Sequence, residues 1–139
     1  MSGYETDLYE WTKAQADALR RHASNELDWD NLAEEIETLG RTERREIQSR
    51  LKNLLLHLLK WRYQPERQRG SWRGSIAEAR DEIDAVLSDN PSLRALPAQS
   101  LPRAYASARD KALNETGLLR LPDDCPWTID EILSPGFLP

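Results

Sequence analysis

The chain has 139 residues, a formal net charge of −5, 31% charged side chains and a single cysteine. That length suits one domain with its own core, and the high charge with few, localised Gly and Pro excludes a disordered or fibrous chain. Cys125 alone excludes an internal disulfide and a multi-thiolate metal site. The opening MSGYETDLYEW has neither the basic nor the apolar region of a secretory signal, so a cytoplasmic protein with no membrane segment is expected.

Taken in chain order, the spacing predicts a first helix from about Asp7 to His22. Thr6 or Asp7 is its N-cap, Glu10 lies in its first turn, and Leu8, Trp11, Gln15, Ala18 and Leu19 mark one face. Asp28 is placed to cap a second helix with the apolar stripe Trp29, Leu32, Ile36 and Leu39. Its other face is acidic, with Asp30, Glu34, Glu35 and Glu37. Gly40 normally ends a helix, although the stripe keeps its phase across it. A break or kink there is favoured, because glycine costs about 1 kcal/mol inside a helix.

The central helix is expected over about 42–63, stopped by Pro65. Ile47, Leu51, Leu54, Leu58 and Trp61 repeat at the period of one helix face, and Leu55, Leu56 and Leu59 widen it. A helix apolar over so much of its surface must be wrapped by others, since burial of each such side chain is worth about 1.5–3 kcal/mol. Gln64 to Gly70 reads as a loop, and Ser71 as the cap of a further helix through Ser88. Asn90-Pro91 reads as an N-cap with proline at the first helical position. Another helix starts near Pro97 or Ser100 and ends at Thr116-Gly117. The tail 118–139 is Pro-rich and extended, closing on Thr128-x-x-Glu131, a capping box stapled by Trp127 and Ile132. The expectation is therefore an all-α, single-domain bundle over 1–139: about five main helices around a leucine-rich centre, plus a short C-terminal helical turn.

The run NLAEEIETLGRTERRE at 31–46, LLLHLLKWRYQPER at 54–67, SWR at 71–73, ETGL at 115–118 and CPWT at 125–128 together resemble a bacterial family catalogued as domain of unknown function family 29. The resemblance covers nearly the whole chain. It implies an all-helical cytoplasmic domain and no particular activity, so the chemistry has to come from the residues.

Charge is unevenly distributed. Residues 1–40 carry ten acids and three bases, 41–73 ten bases and three acids, and 74–139 six bases and eleven acids. Either the acidic flanks compensate the basic middle internally, or a basic face meets an anionic partner. Lys60, Arg62, Tyr63, Arg67, Arg69 and Arg73, interleaved with Trp61 and Trp72, form the candidate binding face: cations hold phosphates and rings stack bases. The same residues also suit a helix–loop–helix corner whose arginines pair with Glu34, Glu35 and Glu37.

Arg50 and His57 lie within about 20° of each other on a helix and about 10 Å apart along it. This resembles the Arg-x4–6-His motif of HEPN-domain ribonucleases, in which Arg50 would stabilise a phosphate and His57 move a proton. Leu51 stands where a polar residue is usual, and a core-edge histidine explains His57 equally. Glu34, Glu35, Glu37 and His57 lack the Glu-x-x-His of di-metal bundles and read as a solvated acidic face. Asp123 and Asp124 beside Cys125 oppose a thiolate nucleophile. The reading is a non-catalytic interaction module for an acidic protein or for RNA or DNA, as monomer or homodimer, with no cofactor or metal. The alternative is a metal-independent, toxin-type ribonuclease using Arg50 and His57.

Overall fold

The computed structural model describes residues 3–139. All regular structure in them is helical: α1 (Leu8–Arg20), α2 (Trp29–Tyr63), α3 (Gly70–Asp89), α4 (Leu96–Thr116) and the short α5 (Ile129–Leu133). No helix is long and apolar enough to cross a membrane. Contacts group the chain into two compact units, one up to Thr42 and one over Glu43–Pro139.

In the first unit, Asp7 caps α1 by accepting the Glu10 N–H at 3.1 Å. Trp11, Gln15 and Ala18 form its buried edge, while Leu8 and Leu19 are about half exposed. The turn into α2 is tied by side chains. Gln15 donates to the Glu26 carbonyl at 3.2 Å and accepts the Asp28 N–H at 2.7 Å. The Asp28 carboxylate takes the Trp11 indole N–H at 3.0 Å and the Asn31 amide at 2.8 Å. These donors hold the Asp28 carboxyl below its usual range, the Asn31 amide most of all. Tyr4 donates to Glu35, which pushes its hydroxyl up to about 12. Of the expected stripe on this part of α2, Leu32 is half-buried. Trp29, Ile36 and Leu39 are 62%, 67% and 67% exposed.

The break favoured at Gly40 does not occur: α2 is one helix of 35 residues. A Cβ added at Gly40 would meet nothing within 4 Å, so no close approach requires the glycine, and its φ is not in the left-handed region. The cost of about 1 kcal/mol is too small to interrupt a ladder that keeps its register on both sides. The two helices expected around Gly40 are therefore one.

In the second unit the leucine-rich part of α2 is central, as its pattern indicates. Ile47, Leu51, Leu54, Leu55 and Leu58 are fully buried, with Leu56 and Leu59 at 3% and 1%. Ile76, Ala79 and Ile83 of α3 join these leucines in one core, as do Ala104, Tyr105, Ala108 and Ala112 of α4. Ala104, Ala108 and Ala112, four residues apart, share the face of α4 that is buried in this core. α3 begins at Gly70 with Arg69 as N-cap and no side-chain cap bond, so Ser71 falls inside its first turn. Asn90 stands as the N-cap residue of the turn that follows, with Pro91 at its start, but makes no side-chain cap bond there. Its amide turns back to the Val86 carbonyl at 2.9 Å, closing the end of α3. α4 ends at Gly117 in the left-handed conformation, φ 72°, which glycine adopts without a Cβ penalty.

The tail is fastened rather than free. Tyr105 donates to the Pro122 carbonyl at 2.7 Å, and Arg109 to the carbonyls of Leu121 and Pro122 at 3.1 and 3.0 Å. From α3, buried Arg80 donates to the Ile132 carbonyl at 2.9 Å and the Phe137 carbonyl at 2.7 Å. Both halves of the Thr128–Glu131 capping box are made, and Ile132 is fully buried with Trp127 packed against the same core.

Candidate functional site

The basic-aromatic residues fall where α2 ends, where the turn Pro65–Arg67 redirects the chain, and where α3 begins. Pro65 stops α2 and supplies the first residue of that turn, so cations from both helices and the loop gather at one corner. The corner is built on aromatic rings. The Lys60 ammonium lies 6.0 Å from the Trp72 ring centre, the Arg73 guanidinium 5.6 Å from Trp61, and the Arg62 guanidinium 5.3 Å from Tyr63. Each is within the range in which a ring face attracts a cation. Gln68 donates to the Trp61 carbonyl at 3.0 Å, pinning the loop to the end of α2.

Lys60 is separated from the others by its partner. It is largely buried and sits 2.6 Å from Glu115 of α4, whose carboxyl it holds below the usual range. That carboxylate lies 55 residues away in sequence, beyond any helical spacing rule. Arg62, Arg67, Arg69 and Arg73 differ: all four are exposed, and no described carboxylate comes within 4 Å of them. Tyr63 is half-buried and lines a cleft of about 820 Å³ with Arg109 and Arg120. Arg120 is exposed and adds a cation to this cleft, where Asp123 pairs with Arg109 at 3.2 Å. It was not on the expected face, because only the fastening of the tail to α4 brings it there.

Arg50 and His57 have different surroundings. The Arg50 guanidinium is 3.0 Å from Glu46 one turn earlier and is also paired with Glu82 of α3. Glu46, foremost, keeps it firmly protonated. His57 shares a hydrogen bond of 2.9 Å between Nδ1 and the Asn53 carbonyl. Because a carbonyl only accepts, Nδ1 carries a proton in that contact. Cys125 is half-buried, and burial, with the Glu131 charge, pushes its thiol up. A thiol so placed is a poor nucleophile at neutral pH.

No curated protein and no solved structure matches the chain. One family model covers residues 3–138, both compact units included. The chain therefore belongs to the family described as domain of unknown function DUF29.

Proposed function

We propose that the protein is a non-catalytic helical binding module of the bacterial cytoplasm whose corner over 60–73 takes an anionic partner, an acidic protein or a nucleic acid. The observation that carries this reading is the set Arg62, Arg67, Arg69 and Arg73, four exposed guanidiniums with no carboxylate within 4 Å among the described residues. Surface arginines close to an acid lose much of their attraction for an external anion; these keep it. Tyr63 adds a partly exposed ring at the same corner. Lys60 serves to hold α2 to α4 through Glu115 rather than to meet the partner.

The ribonuclease alternative draws no support from this geometry. A phosphate reaching Arg50 would have to displace Glu46 and Glu82. The test is titration of the full chain with a short single-stranded RNA and with a glutamate-rich peptide, each at 50 and 200 mM salt. Binding of either should weaken steeply with salt through counterion release, and Arg67→Gln with Arg69→Gln should weaken it at least tenfold. If neither ligand binds at low salt, or the double variant binds as the wild type does, this reading fails. RNA cleaved by the wild type but not by His57→Ala would instead favour the enzyme.

A further inference from the structure

A groove of about 620 Å³ runs between α2 and α4 and shares no lining residue with the corner over 60–73. Two rails line it. On α2, Arg44, Gln48 and Lys52 follow one another at intervals of four; on α4, Gln99, Arg103 and Ser107 do the same. Residues four apart on a helix lie on one face, so the rails present their polar ends along the groove. Only Leu96 and Ala104, both buried, contribute apolar surface besides the side-chain stems.

Three features distinguish this groove. No carboxylate lines it, and Arg44, Lys52 and Arg103 form no ion pair among the described residues. Side-chain hydrogen bonds are absent too. The two glutamines, the three serines and the three cations make none within the described chain. Finally, Gln99 stands in the first turn of α4, at the end where the helix dipole is positive.

We propose that this groove binds a ligand carrying two or more phosphate groups. An unpaired Arg, Lys and Arg offer only donors, and the serines and glutamines add more. A phosphate is acceptor-only, carries up to two charges, and accepts a forked guanidinium bidentately. A single phosphate would leave much of the groove unused, because Arg44 and Lys52 stand about 12 Å apart along α2, at roughly 1.5 Å per residue. Arg103 reaches in from the opposite rail. No aromatic ring lines the groove, so recognition rests on the phosphates rather than on stacked bases. This site is independent of the basic-aromatic corner, and either can fail without the other.

The experiment is calorimetric titration of the full chain at 50 mM salt with inorganic tripolyphosphate, hexathymidylate and hexaglutamate. Tripolyphosphate should bind, and Lys52→Gln and Arg103→Gln should each weaken it at least tenfold. Ser107→Glu, which places a carboxylate in the groove, should abolish it. Lys13→Gln, which removes an exposed cation of α1 outside both sites, should leave it unchanged. Urea midpoints confirm that each variant is folded, and all four positions are wholly or partly exposed, so folding should survive. Hexathymidylate binding with the same sensitivity identifies a phosphodiester chain; binding of tripolyphosphate alone identifies a free polyphosphate or nucleotide. Either outcome supports the site. The proposal is overturned if neither phosphate probe binds, if the groove variants bind as the wild type does, or if hexaglutamate binds as tightly as tripolyphosphate.

Discussion

Replacing Arg80 by methionine should release the C-terminal segment from α3. Arg80 is 7% exposed, and burial alone lowers its tendency to stay charged. Its guanidinium is held by two backbone carbonyls, those of Ile132 at 2.9 Å and Phe137 at 2.7 Å. A hydrogen bond from a charged group contributes about 1.5–3 kcal/mol, so the two together are worth about 3–6 kcal/mol. Methionine keeps much of the volume and escapes part of the cost of burying a charge, which offsets some of that loss, but it leaves the Ile132 carbonyl without that donor. A net loss of about 2–3 kcal/mol is expected. With a urea slope near 2 kcal/mol/M for a domain of this size, the midpoint should fall by about 1–1.5 M. Hydrogen exchange locates the effect. The amides of Ile132, Ser134 and Phe137, bonded to Thr128, Glu131 and Ser134, should lose protection well before those of α2. A midpoint that moves by less than about 0.3 M, with protection over 129–137 retained, would show that core contacts of Ile132 hold the tail and that the Arg80 bonds are incidental.

Leu58→Ala should cost about 2–5 kcal/mol, since Leu58 is fully buried in the middle of the α2 stripe; a denaturant midpoint close to wild type would contradict the packing of α3 and α4 around it. Gly40→Ala should gain about 0.5–1 kcal/mol, because the added methyl meets nothing within 4 Å. A loss of helical signal or stability would mean the chain breaks at Gly40 after all. The Glu115 carboxyl is held below its ordinary value by Lys60, so the unfolded chain binds that proton more readily than the folded one. Its contribution is complete above the usual carboxylate range and disappears as pH falls from about 4.5 through the lower folded value. Glu115→Gln should accordingly flatten acid unfolding on that limb, and an unchanged pH profile would remove the pair from the account of stability.

The sequence by itself determined the helical class and the identity of the central helix. Ile47, Leu51, Leu54 and Leu58 share a face at a period that only one backbone geometry supplies, and all are fully buried. Local capping was legible at two helix starts, where Asp7 and Thr128–Glu131 act through side chains within three residues of the amides they satisfy, but not at α3, where Ser71 falls inside the first turn. Where two local rules conflicted, the sequence misled. Gly40 signals a stop and the phase of the stripe signals continuation, and α2 continues because the propensity cost is small beside a continuous ladder.

The tertiary structure alone decided how the charges are matched. Lys60 finds Glu115, Arg50 finds Glu82, and Arg80 and Arg109 find carbonyls of the tail, pairings made by helix packing at separations no periodicity encodes. What remains unmatched after that packing defines the candidate sites. Arg62, Arg67, Arg69 and Arg73 were visible as a basic cluster, because they are close in sequence. The groove was not, because Arg44 and Lys52 meet Arg103 only once α4 lies along α2. A local run of like charge can be read from the chain; a cleft emptied of carboxylates depends on which helices become neighbours.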